Sequence, residues 1–176
     1  MSETLRIKGR DRANGQIIVP GQEAAMPWDL AEWFDPGALQ GWIEEESATL
    51  DWNNPELADY LRVNPSYHPK VLLTLLTYAY ATAKFDSEEI LLGCHQHPIL
   101  RAICGDQPPG SAKAITRFRR ENRGLIKWCL VQLFKRAIKA RLGELFLPAG
   151  VKRRLIEAAV ARLDMARQLD HGNEGL

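Results

Sequence analysis

Residues 70–84 read KVLLTLLTYAYATAK. This stretch is apolar nearly all round, whereas a helix at a protein surface carries its apolar residues along one side. The stretch follows His68 and Pro69, and a residue before proline is biased away from helix, so the helix is predicted to start at Pro69. The pattern therefore predicts a central buried helix.

Further helices are predicted on both sides of this central helix. Short helices fill residues 27–62, residues 125–142 form a strongly amphipathic helix, and the last helix runs from Pro148 to about Leu169. Its apolar stripe consists of Val151, Leu155, Ala159, Leu163 and Ala166. The predicted core members around the central helix are Tyr67, Leu72, Leu75, Leu76, Tyr80, Trp128 and Leu130.

The predicted fold class is all-α, because strand candidates are too few for a sheet. We expect a single domain of about seven or eight helices, spanning residues 16–170. Residues 1–15 are predicted to form a flexible tail, and residues 171–176 a frayed one.

Three short helices, separated by turns, follow the central helix. They are predicted at residues 87–95, 98–104 and 111–123. Asp86 opens a capping box with Glu89 before the first helix, and Ser111 is the predicted N-cap of the third. This layout, at about residues 86–123, is that of a helix-turn-helix unit, whose last helix enters the major groove of DNA.

The third of these helices has a basic side. Residues 113–123 read KAITRFRRENR, in which Ile115 and Phe118 lie three apart and share one side of a helix. The candidate DNA-binding residues are Lys113, Arg117, Arg119, Arg120, Arg123 and Lys127. One packed side and one cationic side are what a duplex-docking helix needs, but a solvated basic face on an ordinary helix has the same pattern.

We expect the five cations of residues 113–123 to be mostly exposed, since burying guanidinium groups without carboxylate partners is costly. Helical phase assigns Arg119 and Arg123 to phosphates, and Arg117 and Arg120 to base edges, although the two assignments can be exchanged.

The charges are strongly segregated along the 176 residues. The net charge is only +1, yet residues 113–154 hold 13 basic and two acidic side chains, while residues 1–112 hold eight basic and 16 acidic ones. A block this basic favours an anionic partner, most often nucleic acid. An acidic segment of the same chain could instead cover it.

Several classes of protein and site are not expected. No apolar run approaches the ~20 residues of a membrane span, and the N-terminus lacks the apolar segment of a secretory signal. The three cysteines have no framework spacing, which favours reduced thiols in the cytoplasm. The spacing of Cys94, His95, His97 and Cys104 matches no common zinc finger, so no metal or cofactor is expected.

The segments YHPK (67–70) and LLTLLTYAYATAKFDSEEI (72–90) resemble the N-terminal domain of bacterial insertion-sequence transposases of the DDE class. The resemblance covers roughly residues 17–135, and its most specific feature is a Phe-Arg-Arg helix behind a Tyr-x-Pro helix. The matching residues are Tyr67, Pro69, Tyr78-Ala79-Tyr80, Ser87-Glu88-Glu89-Ile90 and Ile115-Thr116-Arg117-Phe118-Arg119-Arg120.

The chain departs from this family in two respects. An arginine of the family is Glu88 here, and a threonine is Ala114, so a phosphate contact and a cap or base contact are in doubt. In the family a nuclease domain with three metal-binding carboxylates should follow, whereas here one further helix and a tail are expected. The resemblance therefore implies the DNA-binding part without the cutting part.

These observations favour a non-catalytic DNA-binding protein, acting in element-end binding or regulation, with duplex DNA as its partner. A separate transposase catalytic subunit, or self-association, is a further expected interaction. No membrane and no small-molecule substrate are expected. The alternative hypothesis is a protein–protein interaction module whose basic surface docks on an acidic partner.

The sequence shows no set of acidic residues on predicted strands that could hold the metal ions of a nuclease. The protein is therefore predicted not to cleave DNA. A preparation free of contaminating nuclease, incubated with duplex DNA and Mg²⁺ or Mn²⁺, should leave the duplex intact on a gel. Reproducible cutting that is lost on substitution of a single carboxylate would contradict this expectation.

Overall fold

The structure, a computed structural model, describes residues 18–19, 24–51, 69–142 and 149–174. Within them lie seven α-helices, a short 3-10 helix at Leu30–Glu32 and one antiparallel pair of two-residue strands, so the predicted all-α class is confirmed. The elements are β1 (Ile18–Val19), β2 (Ala24–Ala25), α1 (Pro36–Ala48), α2 (Pro69–Ala81), α3 (Ser87–Gln96), α4 (Pro98–Cys104), α5 (Ala112–Glu121), α6 (Arg123–Leu142) and α7 (Ala149–Glu174).

The apolar stretch of residues 70–84 forms α2, at the centre of the fold. Every residue from Leu72 to Ala81 is buried. α2 contacts α1, α4, α5, α6 and α7, so neighbouring helices cover its apolar surface. This arrangement confirms the prediction of a central buried helix.

α2 ends earlier than predicted, at Ala81 rather than near Lys84. The backbone N–H of Lys84 donates to the Ala79 carbonyl oxygen at 2.8 Å, closing a Schellman-type turn. Between them Ala83 has φ of 60°, in the left-handed region that favours glycine. The turn sends the chain away from the helix axis and into α3.

The last helix packs against the end of α2 through the buried Arg162. Its Nε donates to the Tyr80 carbonyl oxygen at 3.1 Å, and its Nη2 donates to the Pro27 and Trp28 carbonyl oxygens at 3.0 and 3.2 Å. The last carbonyl groups of a helix lack intrahelical partners and carry partial negative charge, so a guanidinium group there is stabilising.

Two aromatic rings also contact this guanidinium group. Its carbon lies 4.8 Å from the centre of the Trp28 ring and 4.7 Å from that of Phe134. Burial lowers the pKa of Arg162 to about 9, because the charged form loses its hydration. Arg162 is therefore still a cation at neutral pH, and carbonyl dipoles and ring faces take the place of water around it.

Two core predictions were placed on α6, and one of them is wrong. Leu130 is buried, but 37% of Trp128 is exposed. Trp128 lies two positions from both Ile126 and Leu130, about 200° around the helix from these buried residues. Tyr67, also predicted in the core, lies outside the described residues, as does the predicted tail of residues 1–15.

α7 extends to Glu174, beyond the predicted end near Leu169. The cause is a buried carboxylate in its last turns: Asp170 is only 6% exposed and contacts α3 and α5. A helix end held by tertiary contacts does not fray as its local sequence would indicate.

Replacing Ala83 by glycine should raise the free energy of unfolding by up to about 1 kcal/mol, because glycine relieves the strain of a positive φ but adds entropy to the unfolded chain. Urea denaturation measures the change. The control is Ala102→Gly at an exposed site in α4, which should instead lower stability by about 1 kcal/mol. Equal losses in the two variants would contradict the account of this turn.

Candidate nucleic-acid interface

The basic stretch of residues 113–123 forms α5 and the start of α6. The Ser111 hydroxyl accepts a hydrogen bond from the Ala114 backbone N–H at 3.2 Å, which confirms the predicted N-cap. Ile115 and Phe118 are buried, as predicted, and α5 packs against α2, α3 and α6. One side of α5 is therefore fixed in the core.

The opposite side of α5 presents Lys113, Arg117 and Arg120, which are all exposed, as predicted. We call these three residues the basic face. Arg117 Nε lies 3.0 Å from Glu121 Oε1, one turn along the helix, and this pair is solvent-exposed and therefore weak. Among the described residues, Lys113 and Arg120 have no ion-pair partner, so the basic face carries uncompensated positive charge.

The prediction that Arg119 is exposed is wrong. Arg119 is 5% exposed, and its Nη1 lies 2.9 Å from Asp170 Oδ2. The expectation assumed that no carboxylate would be available inside the protein, but α7 supplies one. Arg119 is therefore part of the interior and not of the surface that a ligand would meet first.

Asp170 is the centre of a buried polar network that joins α3, α5 and α7. Its Oδ1 accepts from the Ser87 backbone N–H at 3.2 Å, and its Oδ2 accepts from the Ser87 hydroxyl at 3.0 Å. The Thr116 hydroxyl lies 3.2 Å from both Asp170 Oδ2 and the Ser87 hydroxyl. Ser87, Thr116, Arg119 and Asp170 are called the Asp170 network below.

The network also stabilises the start of α3. Ser87 is the first residue of α3, whose first N–H groups have no intrahelical acceptor. A carboxylate is favourable at this positive end of the helix. Asp170 thus caps one helix while neutralising an arginine of another.

The buried Tyr80 hydroxyl lies near this network and makes no hydrogen bond within the described residues. Burial raises the pKa of Tyr80; the positive charge of Arg119 opposes this effect and the negative charge of Asp170 adds to it. Tyr80 is therefore a neutral phenol at physiological pH.

The remaining two predicted DNA-binding residues, Arg123 and Lys127, are partly buried. Arg123 Nη2 lies 2.7 Å from Asp164 Oδ1, and Arg167 Nη2 lies 3.8 Å from the same oxygen. A single carboxylate of α7 thus lies between two arginines, one from α6 and one from its own helix.

The part of the chain that the structure describes contains no cluster of three or more histidine, cysteine or acidic side chains able to hold a metal ion. Cys94, Cys104 and Cys129 are buried free thiols. The Cys94 and Cys104 thiols hydrogen-bond to each other, which together with burial raises the pKa of Cys94. None of the helices within the described ranges has the length and apolar character needed to cross a bilayer.

Residues 42–121 match a protein-family model described as "Transposase domain (DUF772)". The part of this chain at residues 42–121 is therefore transposase-related. The matched range begins within α1 and ends at the last residue of α5, so it includes the basic face. Comparison with curated proteins and with solved structures gives no match. The matched domain indicates a role related to transposition.

α6 and α7 lie beyond the matched range, and with them Asp170, which holds α5, and Arg162, which holds the end of α2. Neither residue is among those predicted from the sequence. A signal for them exists, because they continue the apolar stripe of α7: Arg162 follows Ala159 by three positions, and Asp170 follows Ala166 by four. A charged residue on the buried side of a helix predicts a buried partner.

The burial of the Arg119–Asp170 pair predicts a large stability effect for Asp170→Asn. The variant leaves a buried guanidinium group without its counter-charge, which should cost about 3–5 kcal/mol of unfolding free energy. Asp164→Asn is the matched control, because it also removes a carboxylate of α7 that pairs with arginine, but its side chain is 38% exposed. It should cost about 1 kcal/mol or less in the same urea titration. Equal costs would mean that the Asp170 network is not the anchor of α5.

Proposed function

We propose that this transposase-related protein is a non-catalytic DNA-binding protein, and that α5 docks on duplex DNA through its basic face. The observation that carries the proposal is the exposed positive charge of Lys113, Arg117 and Arg120 on a helix whose other side is buried, where only Arg117 is paired with a carboxylate among the described residues. Within a transposition-related role, this activity corresponds to binding of element ends or to regulation.

The order of the helices supports this mode of binding. α3, α4 and α5 follow each other with short connections, as in a helix-turn-helix unit, and α3 contacts both α4 and α5. In such a unit the last helix lies in the major groove while the earlier helices brace it. The Asp170 network holds α5 against α3, so the basic face is presented in one orientation and less ordering is needed on binding.

Burial changes the roles assigned to individual arginines. The sequence assigns Arg119 to a phosphate contact as an exposed residue, whereas in the structure Arg119 is buried and braces α5 by pairing with Asp170. Arg117 and Arg120 remain the candidates for base-edge contacts, because both project from the exposed side of α5. Arg123 remains a candidate phosphate ligand from the start of α6.

One contact favours the second candidate function, a protein–protein interaction module. Arg136 of α6 lies 2.7 Å from Glu45 Oε2 and 3.6 Å from Glu46 Oε1, and its guanidinium group lies over the Trp42 ring. α1 is thus an acidic helix that docks on part of the basic block within this chain. A separate catalytic subunit or a second copy with such a helix could occupy the basic face of α5 in the same way.

The same contact argues for DNA as the preferred partner. The acidic residues of α1 neutralise Arg136 on α6, whereas Lys113 and Arg120 on α5 have no ion-pair partner within the described ranges. The basic face is therefore not the surface that the chain's own acidic helix is seen to cover.

The salt dependence of binding tests the proposal. Each phosphate contact contributes about −0.9 to the slope of log affinity against log salt concentration, because counterions are released. A variant with Lys113, Arg117 and Arg120 all replaced by glutamine should bind duplex DNA weakly and with a slope shallower by about two to three units. Fluorescence anisotropy with a labelled duplex at several salt concentrations measures both quantities.

The matched control replaces Lys139, Lys152 and Arg153 by glutamine. These three residues are also exposed, and Arg153 pairs with Glu157 one turn away, as Arg117 does with Glu121. The control loses the same charge and should bind nearly as the wild type. Equal losses of DNA affinity in both variants would mean that binding depends only on net charge. Weak, salt-insensitive binding by the wild type would favour the protein–protein interaction module.

A further inference from the structure

A surface cavity of about 290 Å³ lies between α5 and α7, next to the basic face. Thr116, Arg119 and Arg120, which share one side of α5, line one side of it together with Arg123 at the start of α6. Arg167, Asp170 and His171 of α7 line the other side. This volume is at the lower end of the range for ligand sites.

The cavity has a surplus of positive charge. Four arginines line it against one carboxylate, that of Asp170, which is already paired with Arg119. The neighbouring Asp164 is shared between Arg123 and Arg167, and its contact with Arg167 is long, at 3.8 Å. Positive charge therefore remains when every ion pair of the described residues has been counted.

The cavity also has a hydrogen-bond donor that lacks an acceptor. Arg119 Nη1 is in ionic contact with Asp170 Oδ2, but its geometry is not that of a hydrogen bond, and it makes no other within the described residues. Asp170 is largely occupied by Ser87 and Thr116. Arg119 Nη1 is closed to solvent, so its charge acts on an anion in the cavity through space and not through a hydrogen bond.

We propose that this cavity binds a phosphate group of the DNA backbone. Arg120 belongs both to the basic face and to the cavity lining, so a strand that contacts the basic face reaches the cavity directly. Arginine side chains pair with phosphate through two parallel hydrogen bonds, and three accessible arginines, Arg120, Arg123 and Arg167, line this cavity. The inference rests on the proposed function and adds α7, outside the matched transposase range, to the DNA-contacting surface.

Asp170 does not prevent binding of an anion. Its side chain is 6% exposed, its charge is balanced by Arg119, and its oxygens accept from Ser87 and Thr116. The carboxylate therefore forms the floor of the cavity and holds Arg119 in place, while Arg120, Arg123 and Arg167 are the more accessible cations around it.

The test is Arg167→Gln, with Arg153→Gln as the matched control. Both arginines are exposed on α7, and each contacts a carboxylate on its own helix, Asp164 at 3.8 Å and Glu157 at 3.5 Å. Loss of one phosphate contact should make the salt slope of duplex binding shallower by about one unit, and weaken binding about fivefold to tenfold near 0.1 M salt, for any DNA sequence. Arg153→Gln should change neither, and thermal unfolding verifies that both variants fold.

The outcomes separate this inference from the proposed function. Steep, salt-dependent binding by the wild type with an unchanged slope in Arg167→Gln would overturn the cavity as a phosphate site and leave DNA binding by α5 intact. Absence of salt-dependent binding by the wild type would overturn both. In a parallel arm, inorganic phosphate is added at constant ionic strength. In one outcome, phosphate stabilises the wild type against unfolding but not Arg167→Gln, while the salt slope of DNA binding is the same in both proteins. This result would show that the cavity is a site for a free anion and would overturn its assignment to the DNA backbone.

Discussion

The arrangement of the candidate site depends on the buried ion pair of Arg119 and Asp170. Each charge alone would be strongly destabilising in the interior, and the pair is tolerated because Ser87 and Thr116 donate to the carboxylate as well. The partners come from α3, α5 and α7, so one network fixes three helices. The orientation of the basic face follows from a contact that lies beside it on α5.

α7 is the element that connects this network to the core. Arg162 and Asp170 lie eight positions apart, about 12 Å along the helix. The first holds the C-terminal end of α2 through the Tyr80 carbonyl group, and the second caps α3 at Ser87. Because α2 and α3 are consecutive, α7 spans the turn at Ala83 and restrains both of its ends.

The sequence predicted the local features well, because helix periodicity, capping residues and prolines act over a few positions. The buried α2, the Ser111 cap and the buried Ile115 and Phe118 are of this kind. It failed where a distant residue decides the outcome. Arg119 looks like any surface arginine in its own helix, and only its proximity to Asp170, 51 positions later, makes it an interior residue. Trp128 was wrongly predicted to lie in the core, because the helices packed against α6 determine which side of α6 is buried.

The basic residues that cluster along the sequence do not all lie on one surface of the protein. Of the basic block, Arg119 is neutralised inside the protein by α7, and Arg136 is neutralised at the surface by Glu45 and Glu46 of α1. What attracts an anion is the charge that remains after such pairing, and a count along the chain does not give it. In the described structure part of this charge remains on the basic face and in the adjoining cavity, which share Arg120. Under the proposed function a polyanion contacts both of these features, whereas a single compact anion would need only the cavity.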